Sequence, residues 1–145
     1  MKITNFKINN QTGSLDSPVV TPTNGIVFNW SVSSSPGVYQ KYSEINIGTS
    51  INGLGGPDFV GNLFSQGFHD NTGYYFELDT TQPLSRGKTY YGQVRVRDNL
   101  LLDSDYEAFA FRINTVPFVT SFFYVPEFPS LTEDLSVDFL LSKSG

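Results

Sequence analysis

The chain has 145 residues, no cysteine, a formal net charge of −5, and nearly as many aromatic residues (15%) as charged ones (16%). That is room for one ordinary domain plus a remnant, with enough apolar material for a real core and a composition unlike that of disordered chains. The acidic balance argues against nucleic acid or an anionic membrane surface as the main partner, and the missing cysteines exclude disulfides and thiolate metal sites.

No apolar run approaches the roughly 20 residues that span a bilayer, so no membrane insertion is expected. The start, MKITNFKINN, has no apolar stretch of the secretory kind. From there the apolar residues alternate in short runs bounded by Gly, Pro, Asn, Asp and Ser, which predicts strands rather than helices. The first strand covers 2–9, followed by a loop with Pro18 and Pro22. The second, 25–33, puts Ile26, Phe28, Trp30 and Val32 on one face. The third runs from 41 to 49 with Ile45 and Ile47 inward.

Residues 50–58, SINGLGGPD, have no period and read as a flexible connection. A weaker strand is expected over 59–66, then a turn at HDNTG. The strand at 74–79 points Tyr74, Phe76 and Leu78 one way. The next carries Tyr90, Val94 and Val96 inward, and Tyr91, Gln93, Arg95 and Arg97 outward. After a loop at NLLLDSD, the seventh strand, YEAFAFRIN, turns Phe109, Phe111 and Ile113 inward. Strands with one dry face must cover each other in pairs of sheets, which gives an all-β sandwich.

The stretch PLSRGKTYYGQVRVRD, residues 83–98, carries a resemblance. Leu84, Gly87 and Tyr90 are spaced as in the Leu-x-Pro-Gly-Thr-x-Tyr corner of fibronectin type III domains, where the tyrosine hydroxyl reaches back to the backbone a few residues upstream. Arg86 and Lys88 replace the proline and threonine of that pattern. Trp30 on the second strand also matches the family. The chain is similar to bacterial or phage surface modules of the fibronectin type III-like and immunoglobulin-like kind. Such modules often carry Trp where Gly92 stands, so a neighbour must fill that space.

The resemblance implies a sandwich of about seven antiparallel strands over residues 1–115, with Trp30, Leu84, Gly87 and Tyr90 structural. NTVPFVTSFFYVP looks like the start of a second, truncated Ig-like domain over 116–145, with a turn at 131–134 and a strand at 135–141. Packing of that tail back on the first domain is the alternative.

Residues that could carry chemistry have plain competing readings. His69, the lone histidine, sits beside Asp70, but neighbours on a strand point to opposite sides and a solvated turn is expected. Asp103 and Asp105, and Glu133 and Asp134, are paired carboxylates, but sugar hydrolysis needs such a pair roughly 5–10 Å apart across a cleft. Asp98 with Asp103 and Asp105 could hold calcium, though the spacing of an EF-hand is missing. The Gly-rich run lacks the Lys-Ser/Thr of a phosphate loop. No catalytic residue, metal ligand or cofactor is therefore assigned.

The outward row is the candidate contact face: Tyr91, Gln93, Arg95 and Arg97, with Tyr42 and Glu44 on the neighbouring strand and Glu44 opposite Arg95. Read with the family, the chain is expected to be a non-catalytic structural or adhesion module. It would serve a virion (phage tail, fibre or capsid) or another extracellular or cell-surface assembly, with other protein subunits as partners. A carbohydrate-binding accessory module, with surface glycan stacked on Tyr39, Tyr42, Tyr75 or Tyr91, is the alternative.

Overall fold

A computed structural model of the chain describes residues 1–79 and 84–115. These contain eight strands and no helix: β1 (Lys2–Ile8), β2 (Val19–Thr21), β3 (Ile26–Ser33), β4 (Gln40–Gly48), β5 (Phe64–Asp70), β6 (Tyr75–Leu78), β7 (Thr89–Asp98) and β8 (Glu107–Ile113). They form a three-stranded sheet, β1-β3-β6, and a five-stranded sheet, β2-β8-β7-β4-β5. Every pairing is antiparallel except β2 with β8, which is parallel. The fold is a fibronectin type III-like β-sandwich.

The core follows from the alternation. Ile26, Phe28 and Trp30 of β3 are buried against Val94 and Val96 of β7 and Phe109, Phe111 and Ile113 of β8. Aromatic rings join the two layers. The Phe109 ring centroid lies 4.8 Å from that of Phe28 and 5.0 Å from that of Phe6. Phe6 reaches the core because β1 bulges between Thr4 and Lys7, with Asn5 in a left-handed conformation (φ 51°). The extra residue changes the parity, so that Ile3 faces inward before the bulge and Phe6 and Ile8 after it.

Gly92 stands opposite Phe109 across the β7–β8 ladder. A Cβ added at Gly92 would sit 2.6 Å from Phe109 Cε1 and 3.0 Å from the Asn46 carbonyl oxygen. The space beside Gly92 is filled by the Phe109 ring.

Two polar devices fix the ends of this core. The Trp30 indole N–H donates to Gln40 Oε1 at 2.9 Å, and Gln40 Nε2 donates to the Asn71 carbonyl at 2.8 Å, so both buried side chains are satisfied. The Ser85 N–H donates to Tyr90 Oη at 2.9 Å, with Leu84 buried beside it. Gly87 (φ 77°) passes its N–H to the Ile113 carbonyl at 2.8 Å. Its left-handed backbone suits glycine and closes the start of β7 on the end of β8.

Several expectations are corrected. The loop with Pro18 and Pro22 contains β2, three residues too short to show a period, aligned by the edge of β8. The strand expected over 59–66 is β5, displaced to Phe64–Asp70. Phe59 is buried as the anchor of the preceding loop rather than as a strand residue. His69 therefore lies in β5 opposite Ser43, not in a solvated turn. Tyr74 does not share a face with Phe76 and Leu78, because its positive φ (58°) places it just before β6. The tail at 116–145, with its expected second domain and with Glu133 and Asp134, lies outside the described residues.

Substituting Gly92→Ala should cost about 1–3 kcal/mol through overpacking against Phe109. Adding Phe109→Leu should make the pair less destabilised than the sum of the single changes. Urea unfolding of the four proteins in this cycle checks both.

Candidate functional site

The outer face of the five-stranded sheet carries the polar row. β4 and β7 are in register with Glu44 opposite Arg95 and Tyr42 opposite Arg97. Arg95 donates from Nε to Glu44 Oε1 at 2.6 Å. Arg97 meets Asp103 in two-pronged fashion, Nε to Oδ1 at 2.6 Å and Nη2 to Oδ2 at 3.2 Å. Arg95 Nη1 lies 3.6 Å from Asp103 Oδ2, which links the two pairs. The guanidinium carbons also lie over aromatic rings. That of Arg97 is 3.9 Å from the Phe68 centroid, and that of Arg95 is 4.6 Å from the Tyr106 centroid and 5.0 Å from the Phe68 centroid.

The electrostatics follow the contacts. The hydrogen bond from Arg97 holds the Asp103 carboxyl below its ordinary range, with the Arg97 and Arg95 charges helping. Arg97 is raised by the same bond. Tyr106 is raised chiefly by burial.

Phe68 and Tyr106 belong to this cluster, yet the alternation does not point to them. β5 changes register opposite β4 between Ser43 and Ile45. Phe64 consequently packs inward against Phe76 (5.2 Å between centroids), while Phe68, four residues on, sits with the arginines of the outer face. A strict period of two would put both phenylalanines on one side. Tyr106 just precedes β8 and is aligned with the outer face by that strand.

Gln93 is a correction. It is 1% exposed, not part of a solvated row. The Gly-rich segment at 50–58 folds over it: the Gly55 N–H donates to Gln93 Oε1 at 2.7 Å, and Gln93 Nε2 donates to the Gly56 carbonyl at 2.9 Å. The segment expected to be a flexible connection is thus pinned to the sheet. It separates Tyr91 from Arg95 and Arg97, so the candidate face reduces to Tyr42, Glu44, Arg95 and Arg97 with Phe68, Tyr106 and Asp103. The four tyrosines considered for sugar stacking do not converge. Tyr39 precedes β4, Tyr75 is on β6 in the other sheet, and Tyr42 and Tyr91 lie at opposite ends of the outer row.

Asp98, Asp103 and His69 have structural partners. Asp98 Oδ1 accepts from the Leu100 and Leu102 N–H groups at 2.8 and 3.0 Å, bracing the β7–β8 connection. Asp103 is taken by Arg97. His69 Nδ1 is 3.2 Å from the Gly67 carbonyl oxygen. Among the described residues no group of three or more His, Cys, Asp or Glu side chains is placed to hold a metal.

No family model and no curated protein matches the sequence. Among solved structures, the chain is similar to the α-L-rhamnosidase of Dictyoglumus thermophilum (17% identity, TM-score 0.65), covering 79% of this chain and 12% of that one. It is similar also to the Streptomyces avermitilis α-L-rhamnosidase complexed with L-rhamnose (17% identity, TM-score 0.62), covering 78% and 10% respectively. The sixth fibronectin type III domain of human fibronectin type III domain containing protein 3 aligns at 15% identity and TM-score 0.48, over 83% of this chain and 92% of that one. The two rhamnosidase likenesses are of fold. This chain spans about a tenth of each enzyme, so the shared sandwich is a small part of a much larger protein there.

Gln93→Ala should leave the Gly55 N–H and Gly56 carbonyl without partners, at a cost of roughly 1–3 kcal/mol. Faster amide exchange confined to 50–58 would report it. Asp103→Asn should lower the melting temperature slightly at pH 7. Because the folded carboxyl titrates below its unfolded value, the native stabilisation is present above the ordinary aspartate range and lost as pH falls through the folded value. The gap between variant and native protein should therefore close on acidification, as thermal melts from pH 7 down to pH about 2 would show.

Proposed function

We propose that this chain is a non-catalytic β-sandwich module that works by spacing and protein–protein contact within a larger protein or assembly, of the virion or cell-surface kind. The contact surface is the outer face of the five-stranded sheet around Arg95 and Arg97. The observation that carries this reading is the pre-setting of both guanidinium groups. Each is held by a carboxylate and lies over an aromatic ring while staying partly exposed.

Arginine and aromatic residues are enriched at the energetic centres of interfaces. Side chains already ordered before contact lose less freedom on binding. A guanidinium has five N–H donors. Arg95 and Arg97 use one and two of these in the hydrogen bonds described, so others remain for carbonyl or carboxylate groups of a neighbour. The fold supports the modular reading, since the same sandwich forms a tenth of two large enzymes.

The test is site-specific photocrosslinking in the native assembly, with p-benzoylphenylalanine in place of Tyr42 or, on the opposite sheet, Tyr75. Tyr42 should crosslink to another subunit, and the double reversal Arg95→Glu/Arg97→Glu should abolish that product. Crosslinks from Tyr75 alone, or a Tyr42 product indifferent to the reversal, would sink the assignment.

A further inference from the structure

A second surface lies along one side of the sandwich, where β1 of one sheet faces β8 of the other. β1 ends the three-stranded sheet, and β8 is flanked on its outer side only by β2. β2 covers Phe111, Arg112 and Ile113 and nothing further up the strand. Above it, the edge of β8 from Glu107 to Ala110 has no strand beside it among the described residues. Here the sheets part. A cleft of about 360 Å³ lies between Asn5–Ile8 of β1 and Glu107–Ala110 of β8, walled at the β2 end by Gln11–Ser14 of the segment that leads into β2. A second, of about 300 Å³, continues it between Met1–Ile3 and Asp105–Glu107. The two clefts share Glu107, and on the β8 side this groove runs from Asp105 to Ala110.

The backbone direction along β8 follows from its ladder. Ile113 donates its N–H to the Lys88 carbonyl of the β7 side, whereas Asn114 donates to Thr21 at the end of β2. Odd-numbered residues therefore bond toward β7 and even-numbered ones away from it. Ala108 consequently turns its N–H and C=O into the groove. Glu107 lines both clefts at their junction. No hydrogen bond or ion pair to its carboxylate is made among the described residues. Burial pushes that carboxyl up, partly offset by the charge of Lys2, which stays beyond ion-pairing distance.

We infer that this groove takes an extended polypeptide segment as an added strand, continuing the line of β2 along β8, with a lysine or arginine side chain placed against Glu107. Three features converge on that occupant. At Ala108, beside which no strand lies among the described residues, the backbone offers a donor and an acceptor spaced for a strand. β2 already shows that this edge accepts a parallel strand one step further down. A half-buried carboxylate without an ion-pair partner among the described residues, only partly offset by Lys2, is relieved by a cation and not by an apolar group. The groove adjoins the Arg95–Arg97 face at Tyr106, which lines the second cleft and lies over Arg95.

The test uses the full chain, ¹⁵N-labelled, titrated with acetyl-Thr-Val-Lys-Val-Thr-Val-amide and followed by amide shifts and hydrogen exchange. Shifts and slowed exchange should centre on Ala108, with weaker effects along Asn5–Ile8. Replacing the peptide's lysine by glutamate, or Glu107→Gln in the protein, should weaken binding about tenfold. Ala108→Pro removes only a groove-facing N–H and should abolish the effect while the rest of the spectrum stays native. Binding that survives Ala108→Pro in a protein of native spectrum would overturn the inference. So would shifts confined to the Arg95 face, or cellohexaose perturbing the Ala108 amide where the peptide does not.

Discussion

Phe109 lies across Gly92, and the two sheets are tied at that crossing. The ring belongs to the five-stranded sheet but meets Phe28 and Phe6 of the other. It can do so only because its neighbour on β7 has no side chain. Any larger residue at 92 would push the ring toward the layer it joins, where packing is already dense. Phe6 meets the ring from the opposite side, brought inward by the bulge at Asn5. The same bulge bends β1 across the cleft from Glu107–Ala110 of β8. The packing that closes the centre of the sandwich thus sits next to the groove at its side.

Polar groups divide the outer surface. Gln93 occupies a position on β7 that alternation assigns to solvent, yet it is sealed by two glycine backbones of the 50–58 segment. Gly55 (φ 91°) sits in a region that a side chain rarely adopts, so this seal depends on glycine. With that half of the face covered, what stays accessible is the ring of arginines, carboxylates and aromatics around Arg95 and Arg97. Within it each charge has a partner and each guanidinium lies over a ring. The face is ordered before any neighbour arrives, and that order sets it apart from a solvated row of long side chains.

Much of this is legible in the residues alone, for a local reason. In β3, β7 and β8 the apolar residues recur at every second position, broken in β7 only at Gly92, so their inward faces can be assigned directly. Leu84, Gly87 and Tyr90 mark a turn whose hydrogen bond spans five residues. That Glu44 faces Arg95 is expected from the resemblance, whose strand order makes β4 and β7 neighbours, and the two stand opposite each other in the register. β2 and β5 are different. β2 is a strand only because β8 offers it an edge, and β5 changes face through an irregularity opposite Glu44 that no repeat announces.

By itself, then, the sequence determined the strand-by-strand alternation, the sandwich class and the corner that closes it, because these depend on contacts within a few residues of one another. Only the tertiary structure decided that Gln93 is dry, that Phe68 and Tyr106 join the arginines, and that no strand among the described residues lies beside Glu107–Ala110 of β8. Each of those outcomes depends on what a distant segment lays over a strand or leaves uncovered. A period of two carries no information about that.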